Sequence, residues 1–263
     1  MNKVGDTFWI WGQEAGSHDV YKIPKPSRMT PAEGAYYLNI PNMCLVHCVG
    51  KPKPPFDQYA VPLRPCKRVV WSLVGAGGTT DLAERQAVLE FAGRTPNITG
   101  FVMDDFFING CQDPAGVAHL PVEQVREIRK QIKAIGRKLD LWVVLYDHQI
   151  NQPVQGHLDL CDKVSLWTWC AKDLVNLEKN LAVVEKLAPQ AGKLLGCYMY
   201  DYGTNITMPV ALMQKQCELG LRWLKEGRIE GMIFCSNCCA DLGLEAVEWT
   251  RAWIAEVGKQ KIR

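Results

Sequence analysis

Two adjacent carboxylates, Asp104 and Asp105, follow a short apolar run in the stretch ITGFVMDDFFING (98–110), and two phenylalanines come directly after them. An apolar wall such as Phe106 and Phe107 raises the pKa of a neighbouring carboxyl group, which can then donate a proton near neutral pH. The pattern therefore predicts a general acid at Asp104 or Asp105. A helix N-cap or a buried ion pair is the structural alternative for such a pair.

The two aspartates are expected to point to opposite sides, because successive side chains alternate along a regular strand. Only one of them would then react, while the other orients a neighbour or caps the next loop. A partner carboxylate must come from another strand, and Asp201 is the first candidate, with Asp147 and Glu14 in reserve. We predict catalytic roles for Asp104, Asp105 and Asp201.

The elements that position these residues alternate along the chain. Short runs rich in β-branched and aromatic residues are separated by longer amphipathic patterns, as in parallel βα units. Eight such units in 263 residues predict a single-domain (β/α)8 barrel, the TIM barrel, over residues 1–263. An open doubly wound sheet is the alternative, but WGQEAGSHD after the first strand lacks the GxGxxG fingerprint. The predicted strands are 7–12, 43–48, 68–75, 100–107, 139–147, 162–169, 193–202 and 230–237.

Carboxylates and aromatic residues stand at the ends of these strands, where barrels of this kind hold their active sites. This mixture suits a carbohydrate, because aromatic faces cover the apolar C–H face of a sugar while Asp, Asn and Ser bind its hydroxyls. Paired carboxylates can protonate a leaving oxygen and stabilise an oxocarbenium-like centre. The predicted substrate-binding residues are Trp11, Glu14, Ser72, Tyr146, Asp147, His148, Trp167, Trp169, Tyr200, Tyr202 and Asn237.

Charge and composition exclude several other classes of protein. The formal net charge is +2 and no Lys/Arg block is longer than KPK, so no nucleic-acid partner is expected. No secretory pattern opens the chain, and no apolar stretch approaches the roughly 18 to 20 residues that span a bilayer. We therefore expect a cytoplasmic protein without a membrane partner.

The cysteine pattern predicts reduced thiols. The eleven cysteines are an odd number, and most lie in apolar, strand-like runs. CSNCC (235–239) has the spacing of half a zinc site, but no matching half stands elsewhere. No metal or cofactor is predicted, and a carbohydrate is the expected partner.

Three short stretches resemble the chitinase-like barrel enzymes of glycoside hydrolase family 18. VVWSLVGAGG is similar to that family's third-strand serine and glycine motif, GFVMDDFF to its fourth-strand acidic motif, and YMYDYG to its later Met-x-Tyr-Asp motif. The resemblance implies an orienting or acid role for Asp104 and substrate contacts for Tyr200 and Asp201. The family's catalytic Glu lies two residues after an Asp of the acidic motif, and Phe106 stands at that position here.

These observations predict a glycoside hydrolase-like enzyme that uses carboxylate acid–base chemistry at the C-terminal rim of the barrel. Two alternatives remain. One is a divalent-metal-dependent sugar isomerase, epimerase or lyase barrel, with Asp104, Asp147, His148 and Asp201 as ligands. The other is a non-catalytic barrel whose aromatic rim binds a carbohydrate without an operating acid–base pair.

Overall fold

A computed structural model describes residues 3–262 and contains eight parallel strands that close into a barrel, with helices between successive strands. The barrel strands are β1 (Phe8–Gly12), β2 (Asn42–Leu45), β3 (Arg68–Val74), β4 (Ile98–Met103), β5 (Asp140–Tyr146), β6 (Lys163–Trp167), β7 (Gly192–Tyr198) and β10 (Gly231–Cys235). Around the ring they run β1, β10, β7, β6, β5, β4, β3, β2. The predicted (β/α)8 barrel is therefore confirmed.

The two remaining strands form a small antiparallel hairpin on the rim beyond β7, β8 (Tyr200–Asp201) with β9 (Ile206–Thr207). None of the helices found within residues 3–262 is long and apolar enough to span a membrane. The helices are α1 (Pro31–Tyr37), α2 (Asp57–Ala60), α3 (Leu82–Arg94), α4 (Val122–Ala134), α5 (Gln155–Leu158), α6 (Leu177–Leu187), α7 (Val210–Glu226), α8 (Asn237–Ala240) and α9 (Glu245–Val257).

Indole rings meet across the inside of the barrel. Trp9 of β1 lies edge-on to Trp142 of β5 at 4.8 Å between ring centroids, and Trp11 lies edge-on to Trp167 of β6 at 5.1 Å. Room for the upper pair comes from Gly196 of β7, where a Cβ atom would stand 2.0 Å from the Trp167 ring. The upper indoles therefore form the floor on which a ligand at the rim would rest.

The predicted strands ended too late at the two positions that matter most for the site. β4 ends at Met103 rather than at residue 107, because Asp105 adopts a left-handed backbone with φ of 45° and leaves the ladder. β7 ends at Tyr198 rather than at residue 202. Tyr200 and Asp201 pair with β9 instead, so Tyr198 takes the barrel's rim position.

Candidate active site

A narrow cavity of about 50 Å³ opens at the C-terminal ends of the strands. A volume this small admits only part of a ligand, so the rest of the ligand would lie in the open mouth. Within residues 3–262 the lining contains no Lys or Arg, which disfavours an anionic ligand. The lining residues are Trp11, Gln13, His18, Tyr21, Ala76, Asp104, Asp105, Tyr146, Trp167, Trp169, Tyr198, Tyr202 and Cys235.

Asp104 is the most deeply buried acid of the cavity, with 4% of its surface exposed. Its backbone N–H donates to Val74 O of β3 at 2.9 Å, which fixes the residue immediately beyond the strand ladder. Burial, and then the negative charge of Asp105, raise the pKa of Asp104 well above its ordinary value of 3.8. Asp104 therefore holds a proton at a pH where an ordinary aspartate has lost it.

Asp105 is held by two donors from neighbouring strand ends. Gly77 N–H donates to Oδ2 at 2.6 Å, and Tyr146 O–H donates to Oδ1 at 2.6 Å. Gly77 itself has a φ of 69°, a backbone conformation that glycine adopts without steric penalty. Both carboxylate oxygens of Asp105 are thus fixed in position before any ligand enters.

The expectation that the two aspartates point to opposite sides is wrong, because both line the cavity. Alternation holds only within a regular strand, and the left-handed turn at Asp105 rotates its side chain back towards that of Asp104. The Asp105 N–H donates to Asp104 Oδ1 at 2.9 Å, which ties the pair together. We call Asp104, Asp105 and Tyr146 the carboxylate wall.

Aromatic rings form the side of the cavity between β5 and β7. The ring centroid of Tyr198 lies 4.9 Å from that of Trp167 and 5.9 Å from that of Trp169. Trp169 in turn stands edge-on to Tyr146, with 5.5 Å between the ring centroids. Burial raises the pKa of Tyr146 and of Tyr198 well above 10.0, so both phenols stay protonated and can act as hydrogen-bond donors. Such a surface offers both stacking and hydrogen-bond donor groups to a ligand.

An uncharged group of residues lies on the other side of the cavity, and we call Gln13, His18 and Tyr202 the neutral wall. His18 Nδ1 lies 2.8 Å from Tyr202 Oη and 3.1 Å from Ser236 Oγ, while its Nε2 contacts Gln13 Oε1. Burial lowers the pKa of His18 to about 4, so its imidazole is neutral at physiological pH.

Half of the predicted site residues line this cavity. Several of them belong to the walls and floor already described, and aromatic residues are the majority. The structure brings together Trp11, Asp104, Asp105, Tyr146, Trp167, Trp169 and Tyr202.

Asp201 and Tyr200, which the sequence placed beside the aspartate pair, lie outside the cavity lining. Asp201 accepts hydrogen bonds from the Thr204 hydroxyl at 2.6 Å and from the Thr204 N–H at 3.2 Å, within the hairpin turn. Tyr200 O–H donates to Tyr21 O at 3.0 Å. Both residues were predicted to line the site because they were assigned to the end of a barrel strand. They instead follow the end of β7 and belong to the hairpin strand β8.

Three other predicted residues do not line the cavity but contact residues that do. Asn237 binds both backbone groups of Gln13, with Oδ1 accepting from the N–H and Nδ2 donating to the carbonyl, each at 2.9 Å. Asp147 accepts from Trp169 N–H at 3.3 Å, and His148 stacks in parallel on Tyr146 with ring centroids 5.4 Å apart.

Two more predicted contacts turn to partners elsewhere on the rim. Glu14 forms an ion pair with Lys51 at 3.2 Å. Ser72 Oγ accepts the His47 N–H at 2.8 Å. Neither side chain lines the cavity.

The main residues that sequence reasoning missed are His18, Tyr21 and Tyr198. His18 and Tyr21 belong to the long loop after β1, whose lack of periodicity gives no sign of which residues turn inward. Tyr198 could have been found from the sequence, had the strand been ended before the polar Tyr200–Asp201 segment.

The metal-dependent alternative lacks a ligand set in the described part of the chain. Between residues 3 and 262, no three side chains of His, Cys, Asp or Glu are grouped in a way that could hold a metal ion. Of the four proposed ligands, only Asp104 lines the cavity, while Asp147, His148 and Asp201 have the partners described above.

No family profile and no curated protein sequence matches the chain. Solved structures of similar fold include a chitinase from Ipomoea carnea, with 10% identity over 95% of this chain and 99% of that one and a TM-score of 0.58. An endo-β-1,4-mannanase from Thermotoga petrophila has 10% identity, 99% and 79% coverage and a TM-score of 0.57.

An α-L-arabinofuranosidase from Thermotoga maritima is a third such structure, with 12% identity, coverage of 90% of this chain and 65% of that one, and a TM-score of 0.55. At these identities the likeness shows the fold alone. The chain is a (β/α)8 barrel similar in fold to glycoside hydrolases of several kinds.

Proposed function

We propose that the protein cleaves glycosidic bonds of a carbohydrate, with Asp104 as the proton donor and Asp105 as the carboxylate that stabilises positive charge at the sugar. The observation that carries the proposal is the placement of both carboxyl groups in one aromatic-lined cavity at the C-terminal rim. The glycosidase folds reported above agree with it, although they supply only the barrel.

The environment of Asp104 suits a general acid. Its raised pKa keeps the proton on Asp104 to a higher pH than on an ordinary aspartate, so the proton remains available for transfer to a leaving oxygen. Oδ1 already accepts the Asp105 N–H, so we assign the transferable proton to Oδ2.

Asp105 suits the complementary task. Hydrogen bonds from Gly77 and Tyr146 hold its carboxylate without neutralising it, since both donors are uncharged. A fixed negative charge of this kind stabilises an oxocarbenium-like transition state without reorganising during the reaction. The arrangement of Asp104 and Asp105 also differs from the opposed carboxylate pair of many glycosidases, because both acids stand on one wall of the cavity.

The stretch that resembles the acidic motif of family 18 places a different carboxylate in the cavity. Phe106, at the position of that family's catalytic Glu, is completely buried and packs against Phe107 and His157. The turn at Asp105 instead brings the adjacent carboxylate into the cavity. We infer that the acid of this protein is Asp104, and that attack on the anomeric carbon comes from water or from a group of the substrate.

A panel of 4-nitrophenyl glycosides and oligosaccharides of glucose, mannose, fucose, arabinose and N-acetylglucosamine, in both anomers, tests the proposal. We expect at least one to be hydrolysed, and Asp104→Asn to lower kcat/KM by about 10²- to 10⁴-fold. Glu90→Gln, the same chemical change on the exposed face of α3, is the matched control. Hydrolysis that survives in Asp104→Asn would exclude the assigned acid.

A non-catalytic carbohydrate-binding barrel is the second candidate. It is favoured by the neutral wall, since the lining offers no carboxylate other than Asp104 and Asp105 among the described residues. Calorimetry with the same oligosaccharides separates the two: binding by the wild type, retained in Asp104→Asn and without turnover of any glycoside, would establish it.

A further inference from the structure

The neutral wall faces the carboxylate wall across the barrel. In the ring of eight strands, β10 lies four strands from β4, and β1 lies four strands from β5. Asp104 follows β4 and Tyr146 ends β5, whereas Gln13 follows β1 and Ser236 follows β10. A ligand in the cavity therefore has the acids on one side and an uncharged hydrogen-bonding surface on the other.

The side-chain amide of Gln13 is incompletely paired. Gln13 is 3% exposed and lines the cavity, and its backbone is pinned on both sides by Asn237. Its Oε1 contacts His18 Nε2, but its Nε2 has no hydrogen-bond partner among residues 3–262. This nitrogen is not fully enclosed, and Gln13 lines the cavity, so the amide N–H is available to donate to a group that enters from outside the chain.

The hydrogen bonds around His18 favour one orientation of the Gln13 amide. Ser236 Oγ already accepts the Cys238 N–H at 3.1 Å, which leaves its own proton free to donate to His18 Nδ1. Tyr202 O–H can donate to the same nitrogen. An accepting Nδ1 requires the proton of a neutral imidazole to reside on Nε2, where it donates to Gln13 Oε1.

We infer that Gln13 positions the ligand by donating its amide N–H to an uncharged oxygen, a hydroxyl or amide carbonyl of a neutral sugar, and that His18 holds Gln13 in that orientation. This inference rests on the proposed function for its ligand class. It assigns no proton transfer to His18, because both ring nitrogens are already engaged. Gln13 is thus a specificity-determining contact opposite the acids.

Long-range ¹H–¹⁵N NMR of the full chain tests the orientation without a ligand, with the His18 signals assigned by their loss in His18→Gln. We expect a protonated Nε2 and an unprotonated Nδ1. The opposite tautomer would turn the Gln13 oxygen towards the cavity and overturn the inference. This result does not depend on catalysis, so its failure is separable from that of the proposed function.

A second experiment tests the contact with the ligand, using the glycoside that the wild type cleaves or the oligosaccharide that it binds. Gln13→Met removes the donor at similar volume and should raise KM or Kd by about 2- to 13-fold with little change in kcat. Gln13→Glu, which places an acceptor there, should weaken binding further. Gln86→Glu on the exposed face of α3 is the control.

Unchanged KM and Kd in both Gln13 variants would refute a ligand contact. If the wild type binds none of the sugars, the proposed function and the assigned ligand class both fail. The tautomer measurement then still decides whether the Gln13 N–H faces the cavity.

Discussion

Tyr146→Phe should impair turnover while leaving the barrel folded. The phenol donates to Asp105 Oδ1 at 2.6 Å inside the cavity, and phenylalanine keeps the ring that stacks on His148. A hydrogen bond to a charged group contributes about 1.5 to 3 kcal/mol. If Asp105 stabilises the transition state only when it is held in place, kcat/KM should fall by about 10- to 150-fold, at roughly 1.4 kcal/mol per tenfold.

The assay is release of 4-nitrophenol from the glycoside that the wild type cleaves, measured at several substrate concentrations. Tyr37→Phe is the matched control, because Tyr37 O–H donates to Glu248 Oε1 at 2.5 Å on the outside of the barrel. It should leave kcat/KM unchanged. A Tyr146→Phe enzyme within about twofold of the wild type would refute the role given to the fixed carboxylate.

Three further outcomes follow from the same geometry. The raised pKa of Asp104 makes the wild type lose stability as pH rises from 3.8 through the folded-state pKa. The free energy of unfolding of Asp104→Asn should therefore increase relative to that of the wild type over this pH range, as measured by urea denaturation. A difference that stays constant with pH would contradict this. Asp201→Ala should lower that free energy by about 1 to 2 kcal/mol through the lost Thr204 bonds yet keep kcat/KM, and a large fall in activity would restore Asp201 to the site. Gly196→Ala should lower Tm and alter tryptophan fluorescence, since its Cβ would overlap the Trp167 ring; an unchanged spectrum would contradict the packing.

The barrel could be predicted because its signals are local and repeated. Each strand is a short apolar run, and α4 carries the predicted apolar stripe, in which Val125, Ile128 and Ile132 are buried while Val122 and Ile135 are partly exposed. The ends of the strands were harder to predict from the sequence, because the residues beyond β4 and β7 are as aromatic as the strands themselves. Pairing partners, rather than composition, decide where those strands end.

The candidate site was predictable only where side chains leave directly from strand ends. Trp11, Trp167 and Asp104 could be identified in this way. His18 reaches the cavity through a loop whose course depends on distant contacts, including the bond from Ser27 Oγ to Asp241 Oδ1 at 2.7 Å. No pattern in the sequence encodes such a course, since it arises from tertiary packing.

The left-handed backbone at Asp105 restricts which mutations can be interpreted there. With φ at 45°, asparagine is the replacement that tolerates the same conformation and fills the same space. Alanine or glutamate would add a backbone penalty to the loss or displacement of charge, so an inactive variant would report on folding as much as on chemistry. The backbone conformation and the charge thus constrain residue 105 separately, and Asp105→Asn is the substitution that removes the charge while it keeps the backbone.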